Sequence, residues 1–254
     1  MTRVTPEEFE KKVLKKCSEL DITCIPNPQL DTIGAMEILK DGELICVVEF
    51  GKSREFVEWF EKVATEEEGE KLDEYLDRVL REEKLHCEYD KYMYGKCRHN
   101  LGYNVGTIAK QVCQHVKIFK ELKPYKKSFE IANFLSDSKN VEHEVNNFML
   151  LIWKLAIEKA SPYEFIRVLQ EFLERINSCV ITNSYENCKR AISNANIHGE
   201  LKQFMLNVLE TLKKTYESKI DVCECCDLVG THLRSLFGEF IDTLAKYIKN
   251  VSGL

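Results

Sequence analysis

Two groups of side chains in this sequence have the donor types to hold a metal ion. His86-Cys87 and Cys97-x-His99 bring two thiols and two imidazoles within fourteen residues, the ligand set of a tetrahedral zinc site. Adjacent donors at 86 and 87 strain a single centre, and no pair-and-pair spacing is present. The stretch therefore reads as a tyrosine-rich loop, with Cys87, Cys97 and His99 as weak metal candidates. The second group, Cys223-x-Cys225-Cys226 with His232, has one knuckle and no second pair at a finger-like distance. It reads as cysteines at the start of a packed helix.

Asp31, Glu49 and Lys52 are the residue types with which a metal-dependent nuclease holds a divalent ion and activates water. That chemistry wants Glu-x-Lys on one strand face, and here two residues separate Glu49 from Lys52. Solvated charges at a strand end are the simpler reading. No glycine-rich phosphate loop, nucleophile elbow or Ser/His/Asp set is visible. The expectation is a non-enzymatic protein without a cofactor.

A third pattern suits binding rather than catalysis. Lys110, Lys117, Lys120, Lys123, Lys126 and Lys127 surround Phe119, Leu122 and Tyr125, near an expected helix end and turn at 122–125. Lysines at a helix C-terminus offset the macrodipole. Alternatively, the same residues form an apolar anchor ringed by positive charge that docks on an acidic partner.

The elements that must position these residues change character along the chain. Thr5-Pro6-Glu7-Glu8 is a capping box opening a helix with Phe9, Val13, Leu14 and Cys17 on one face. MEILK and ELICVVEF flank Asp41-Gly42, the dipeptide of a tight hairpin whose two central residues need positive φ. Ser53 opens a second helix, TEEEGE interrupts it, and a third carries Leu72, Leu76, Val79 and Leu80. Residues 86–104 lack a helical period and read as the boundary.

Helical periodicity then continues to the end. Residues 140–158 place Val141, Val145, Phe148, Ile152 and Trp153 on one apolar face, and Ser161-Pro162-Tyr163-Glu164 caps the next helix. The predicted fold is mainly α: an α+β unit over 1–90, a linker over 91–104, a helical domain over 105–220 and a C-terminal helix over 221–254.

The chain has 254 residues, 44% hydrophobic and 31% charged, with a net charge of −6. That balance supports a buried core and disfavours a dedicated nucleic-acid binder. No apolar run reaches membrane-spanning length. The polar, acidic start MTRVTPEEFEKK is unlike a secretory signal, so the eleven cysteines are expected to be mostly reduced thiols in a cytoplasmic protein.

Phe134-Leu135-Ser136-Asp137, followed after twelve residues by Leu150-Leu151-Ile152-Trp153, resembles a segment of the cell division cycle protein 37 family. Lys117-Ile118-Phe119 and Leu122-Lys123, ending at Tyr125, resemble that family's chaperone-contacting loop. The stretch from Tyr103 to Lys110 is similar to the family's Trp-Asn-Val-Asp-Thr-Leu-Ser-Lys. The resemblance spans about 103–218 and leaves 1–90 outside it. It implies a co-chaperone of heat-shock protein 90 that presents clients, protein kinases among them, with Phe119, Leu122, Lys123, Tyr125 and Phe165 as partner contacts. The alternatives are a helical adaptor in a ribosome- or RNA-associated assembly and, third, the nuclease.

Overall fold

The computed structural model describes residues 4–97, 103–158 and 160–252. The chain divides into two compact units, 1–97 and 98–254.

In the first unit, helix α1 (Pro6–Glu19) starts at the expected capping box. The Thr5 hydroxyl accepts from the Glu8 N–H, and the Glu8 carboxylate accepts from the Thr5 N–H. Strands β1 (Cys24–Pro26), β2 (Ile33–Lys40) and β3 (Glu43–Phe50) form a sheet in the order β1-β3-β2. Asp41 and Gly42 both have positive φ, 52° and 84°, as a two-residue hairpin between β2 and β3 requires. Helix α2 (Arg54–Lys62) runs into a π-helical turn, Val63–Glu68, closed by Gly69 in the left-handed region. This is the interruption expected at TEEEGE.

Arg78 of α3 (Leu72–Lys96) reaches back to pin that turn, with its guanidinium 3.0 Å from Glu68 and 3.2 Å from Glu70. The core of this unit is aromatic: Phe9 meets Phe60 edge-on at 5.3 Å, and Phe60 lies 4.9 Å from Tyr75.

Residues 86–96 are helical, which corrects the expected loop and the start of the expected linker at 91. Cys87, Asp90 and Met93 are buried at three-residue intervals, so an inward face does exist. The intervening tyrosines and the aspartate within that face hide its period from a hydrophobicity pattern.

The second unit contains α4 (Tyr103–Glu121), α5 (Lys126–Phe134), α6 (Ser138–Ile157), α7 (Pro162–Ile181), α8 (Tyr185–Asn194), α9 (Gly199–Tyr216) and α10 (Val222–Ser252). Helices α4, α7, α9 and α10 pack on one another, α5 and α6 lie against α7, and α8 packs on α6 and α9. Two expected boundaries recur: α4 stops before the 122–125 turn, and the Ser161 N–H donates to the Glu164 carboxylate as α7 begins. Non-helical backbone at Gly238 interrupts α10. Among the described residues, no helix is long and apolar enough to cross a membrane.

The expectation of reduced thiols is overturned. Disulfides join Cys17 to Cys24, Cys46 to Cys87, Cys113 to Cys225 and Cys179 to Cys188, and Cys97 and Cys223 are oxidised as well. Cys226 is the free cysteine. Each described bridge connects successive or distant elements that meet only once folded, a proximity that spacing along the chain does not report.

Candidate docking surface on the second unit

The turn at 122–125 follows α4 as expected, and Leu122 donates its N–H to the Ile118 carbonyl. Two of the three aromatic residues expected as partner contacts face inward, however. Phe119 is 6% exposed and Phe165 4%. Phe119 packs edge-on against Tyr125 at 5.5 Å, Tyr125 and Leu122 are half-buried, and Lys123 is exposed. The lysine stretch is partly committed within the unit: Lys117 and Lys120 both donate to the Ser218 hydroxyl, at 3.3 and 2.9 Å. Burial, and then the Lys120 charge, pull the Lys117 ammonium below its ordinary value.

The thiol candidates for zinc are likewise occupied. Cys87 and Cys97 are in disulfides and offer no thiolate, and His99 lies outside the described residues. Cys225 is bridged, while burial pushes the Cys226 thiol up to about 12, leaving it protonated at neutral pH. His232 is drawn below its usual value by burial and lies 3.4 Å from the Thr211 hydroxyl. Of the nuclease-like set, Lys52 is bound to Glu10 at 3.0 Å and Glu49 faces Gly34 across β3 and β2, which leaves the lysine committed elsewhere.

The surface that sequence periodicity missed lies at the end of α6. Its inward stripe holds for Val141, Val145 and Phe148, with Phe148 stacked on Phe172 at 4.1 Å. Beyond Phe148 the helix reads MLLIWKLAI, apolar on nearly every side. Leu150 is 69% exposed, Trp153 66% and Ile157 67%, and Tyr163 at the start of α7 is 63% exposed. Trp153, expected inward, points to solvent. The available signal was the all-round apolarity itself, because a helix without a polar face must be covered on more than one side.

A groove of about 790 Å³ runs beside this segment. Val145, Met149, Trp153 and Ile157 of α6 form one wall, and Ile197, Leu201, Leu236 and Phe237 face them. Asn146, Asn196, His198 and Glu200 supply its polar groups. The Asn196 N–H donates to the Glu142 carboxylate at 2.6 Å, which fixes the α8–α9 turn beside the N-terminal half of α6. No family model, curated protein or solved structure matches this chain.

Proposed function

We propose that this protein is a non-enzymatic, disulfide-stapled adaptor whose second unit binds another protein through the exposed apolar end of α6. The observation that carries this reading is the cluster of Leu150, Leu151, Trp153, Ile157 and Tyr163 on consecutive turns of α6 and the first turn of α7. Large apolar side chains left together in solvent mark interaction surfaces, and aromatic anchors supply much of the affinity when they become buried. Full burial of a Leu or Ile side chain contributes about 1.5–3 kcal/mol.

Heat-shock protein 90 is the particular partner that the resemblance implies, with kinase clients behind it. The burial of Phe119 and Phe165 moves the contact that such a role would use from the 119–125 loop to α6. The disulfides in both units support an oxidising compartment in place of the cytoplasm, which argues for a partner other than a cytosolic chaperone.

The test is capture of partners by the intact, oxidised chain, comparing wild type with Leu150→Asp and Trp153→Asp, and with purified heat-shock protein 90 as a separate bait. Partners lost in both variants support the reading, provided their circular dichroism is unchanged. Equal capture by all three proteins overturns it. Binding of purified heat-shock protein 90 would restore the co-chaperone form. A thiol count in denaturant supports the oxidised state at one per chain, the free Cys226, and a count of all eleven overturns it.

A further inference from the structure

Three hydrogen-bond donors converge where α4 meets the connection between α9 and α10. Helix α9 closes in a Schellman motif after its cap residue Glu217: the Ser218 N–H donates to the Thr215 carbonyl at 3.0 Å, and the Lys219 N–H to the Lys214 carbonyl at 2.9 Å. The first residue beyond the cap then lies in the left-handed region, where glycine is the usual occupant. Here it is Ser218, with φ of 60°. The other non-glycine residues at positive φ among the described ones are two aspartates and an asparagine, which tolerate that conformation. The serine brings a hydroxyl to an exposed turn, and Lys117 and Lys120 both donate to it, at 3.3 and 2.9 Å.

The charges at this point do not balance. Lys12, Lys16 and Lys52 each meet a carboxylate, whereas Lys117 and Lys120 meet a neutral oxygen. Among the described residues, no carboxylate forms an ion pair with either of the two. The carboxylates flanking Ser218 are committed: Glu217 pairs with Lys213 and Lys219 at 3.2 and 2.6 Å, and Asp221 accepts the Glu224 N–H at 2.9 Å as α10 begins. Lys117 is half-buried, and its depressed ammonium reflects that burial and the Lys120 charge against a smaller upward pull from Asp221. The macrodipole of α4 does not account for the pair. Lys117 lies outside the last turn, and both ammoniums are aimed at Ser218 rather than at carbonyls of α4.

We infer that Lys117, Lys120 and Ser218 bind a phosphate group, as inorganic phosphate or as a phosphate monoester. Each ammonium has further N–H groups to give, and the Ser218 hydroxyl, accepting from both lysines, keeps its own proton for an oxygen of the ligand. A phosphate monoester brings three acceptor oxygens and a charge of about −1.5 to −2 at neutral pH, which matches two ammoniums and one hydroxyl. A carboxylate brings a single charge and leaves one ammonium unmatched. The site shares no residue with the docking surface at the end of α6, so it does not depend on that reading.

The full oxidised chain, isotopically labelled, is titrated with inorganic phosphate at constant ionic strength while amide shifts are followed by nuclear magnetic resonance. Saturable one-to-one shifts centred on Ser218 are expected, and their absence overturns the proposal. Lys117→Gln and Lys120→Gln should each weaken phosphate about tenfold, the loss of one hydrogen bond to a charged group. Lys12→Gln and Trp153→Asp should leave it unchanged, which separates this site from the docking surface. If Lys117→Gln loses its helical signal, the exposed Lys120→Gln carries the comparison. Methyl phosphate distinguishes the source: tighter binding than inorganic phosphate assigns an organic monoester, and equal or weaker binding assigns the free ion. Unchanged affinity in the folded lysine variants overturns the site. Equal shifts with acetate show an adventitious ion only and overturn it as well.

Discussion

On the β2–β3 hairpin of the first unit the apolar side chains that remain at the surface face one another, whereas at the end of α6 in the second unit they stand open. Ile38 faces Ile45 and Met36 faces Val47 across β2 and β3. Val47 is buried as a result, and the other three are near 40% exposed. Cross-strand neighbours lie close enough to cover each other. At the end of α6, Leu150, Trp153 and Ile157 stay about two-thirds exposed even though they are helix neighbours, because α6 packs chiefly on α7 and α8 and leaves this face uncovered. A sheet face can be apolar and half-hidden by its own residues, while the apolar end of α6 is not covered by its neighbours along the helix. The units also differ in their buried polar groups. The first holds Arg78 against Glu68 and Glu70, and the second spreads Gln114, Asn177, Thr211 and Thr215 among its helices.

The sharpest way to separate the units is through their disulfides. Cys113–Cys225 closes a separation of 112 residues and Cys17–Cys24 one of 7. Replacing the first pair by alanine is expected to cost about 3–5 kcal/mol, and the second about 2 kcal/mol, if restriction of the unfolded chain dominates. Urea denaturation of the two double variants measures this; equal losses would assign the stabilisation to native-state contacts instead.

Arg78→Leu removes the guanidinium partner of one nearly buried and one partly exposed carboxylate and is expected to destabilise by about 3 kcal/mol. Denaturation followed by Trp59 fluorescence in a Trp153→Phe background reads the first unit, since Trp59 lies on α2 just before the π-helical turn.

A smaller effect belongs to the second unit. The Tyr185 hydroxyl donates to Glu210, and this bond holds the Glu210 carboxyl below its ordinary value of 4.5. A depressed carboxyl contributes stability that is present above its unfolded value and is lost as pH falls through the folded one. The acid limb of the stability profile below pH 4.5 should therefore flatten in Tyr185→Phe. An unchanged limb would remove Glu210 from the account.

The smallest change is expected at Leu150→Gln, within about 0.5 kcal/mol of wild type. A loss of several kcal/mol would place Leu150 in a core and dissolve the contrast with the sheet.

Several elements were legible from local chemistry. The Asp41-Gly42 hairpin and the start of α1 depend on residues within four positions of each other, so short-range sterics and hydrogen bonding specify them. The candidate site was less legible. Phe119 and Trp153 are both aromatic residues on amphipathic helices, yet Phe119 is core, against the docking role its lysine surroundings and the resemblance implied, and Trp153 is surface, against its periodicity. Phe119 turns inward on α4, which packs against α7, α9 and α10, while α6 packs chiefly on α7 and α8 and leaves Trp153 two-thirds exposed beyond Phe148.

The sequence by itself determined the mainly helical class, the small α+β unit, the hairpin and the helix starts, because each is set by neighbours along the chain. Only the tertiary structure decided which cysteines pair, which aromatic side chains are buried, and that α6 ends in an uncovered apolar segment beside a groove. Those outcomes depend on contacts between residues far apart in sequence, whose closeness no local pattern encodes.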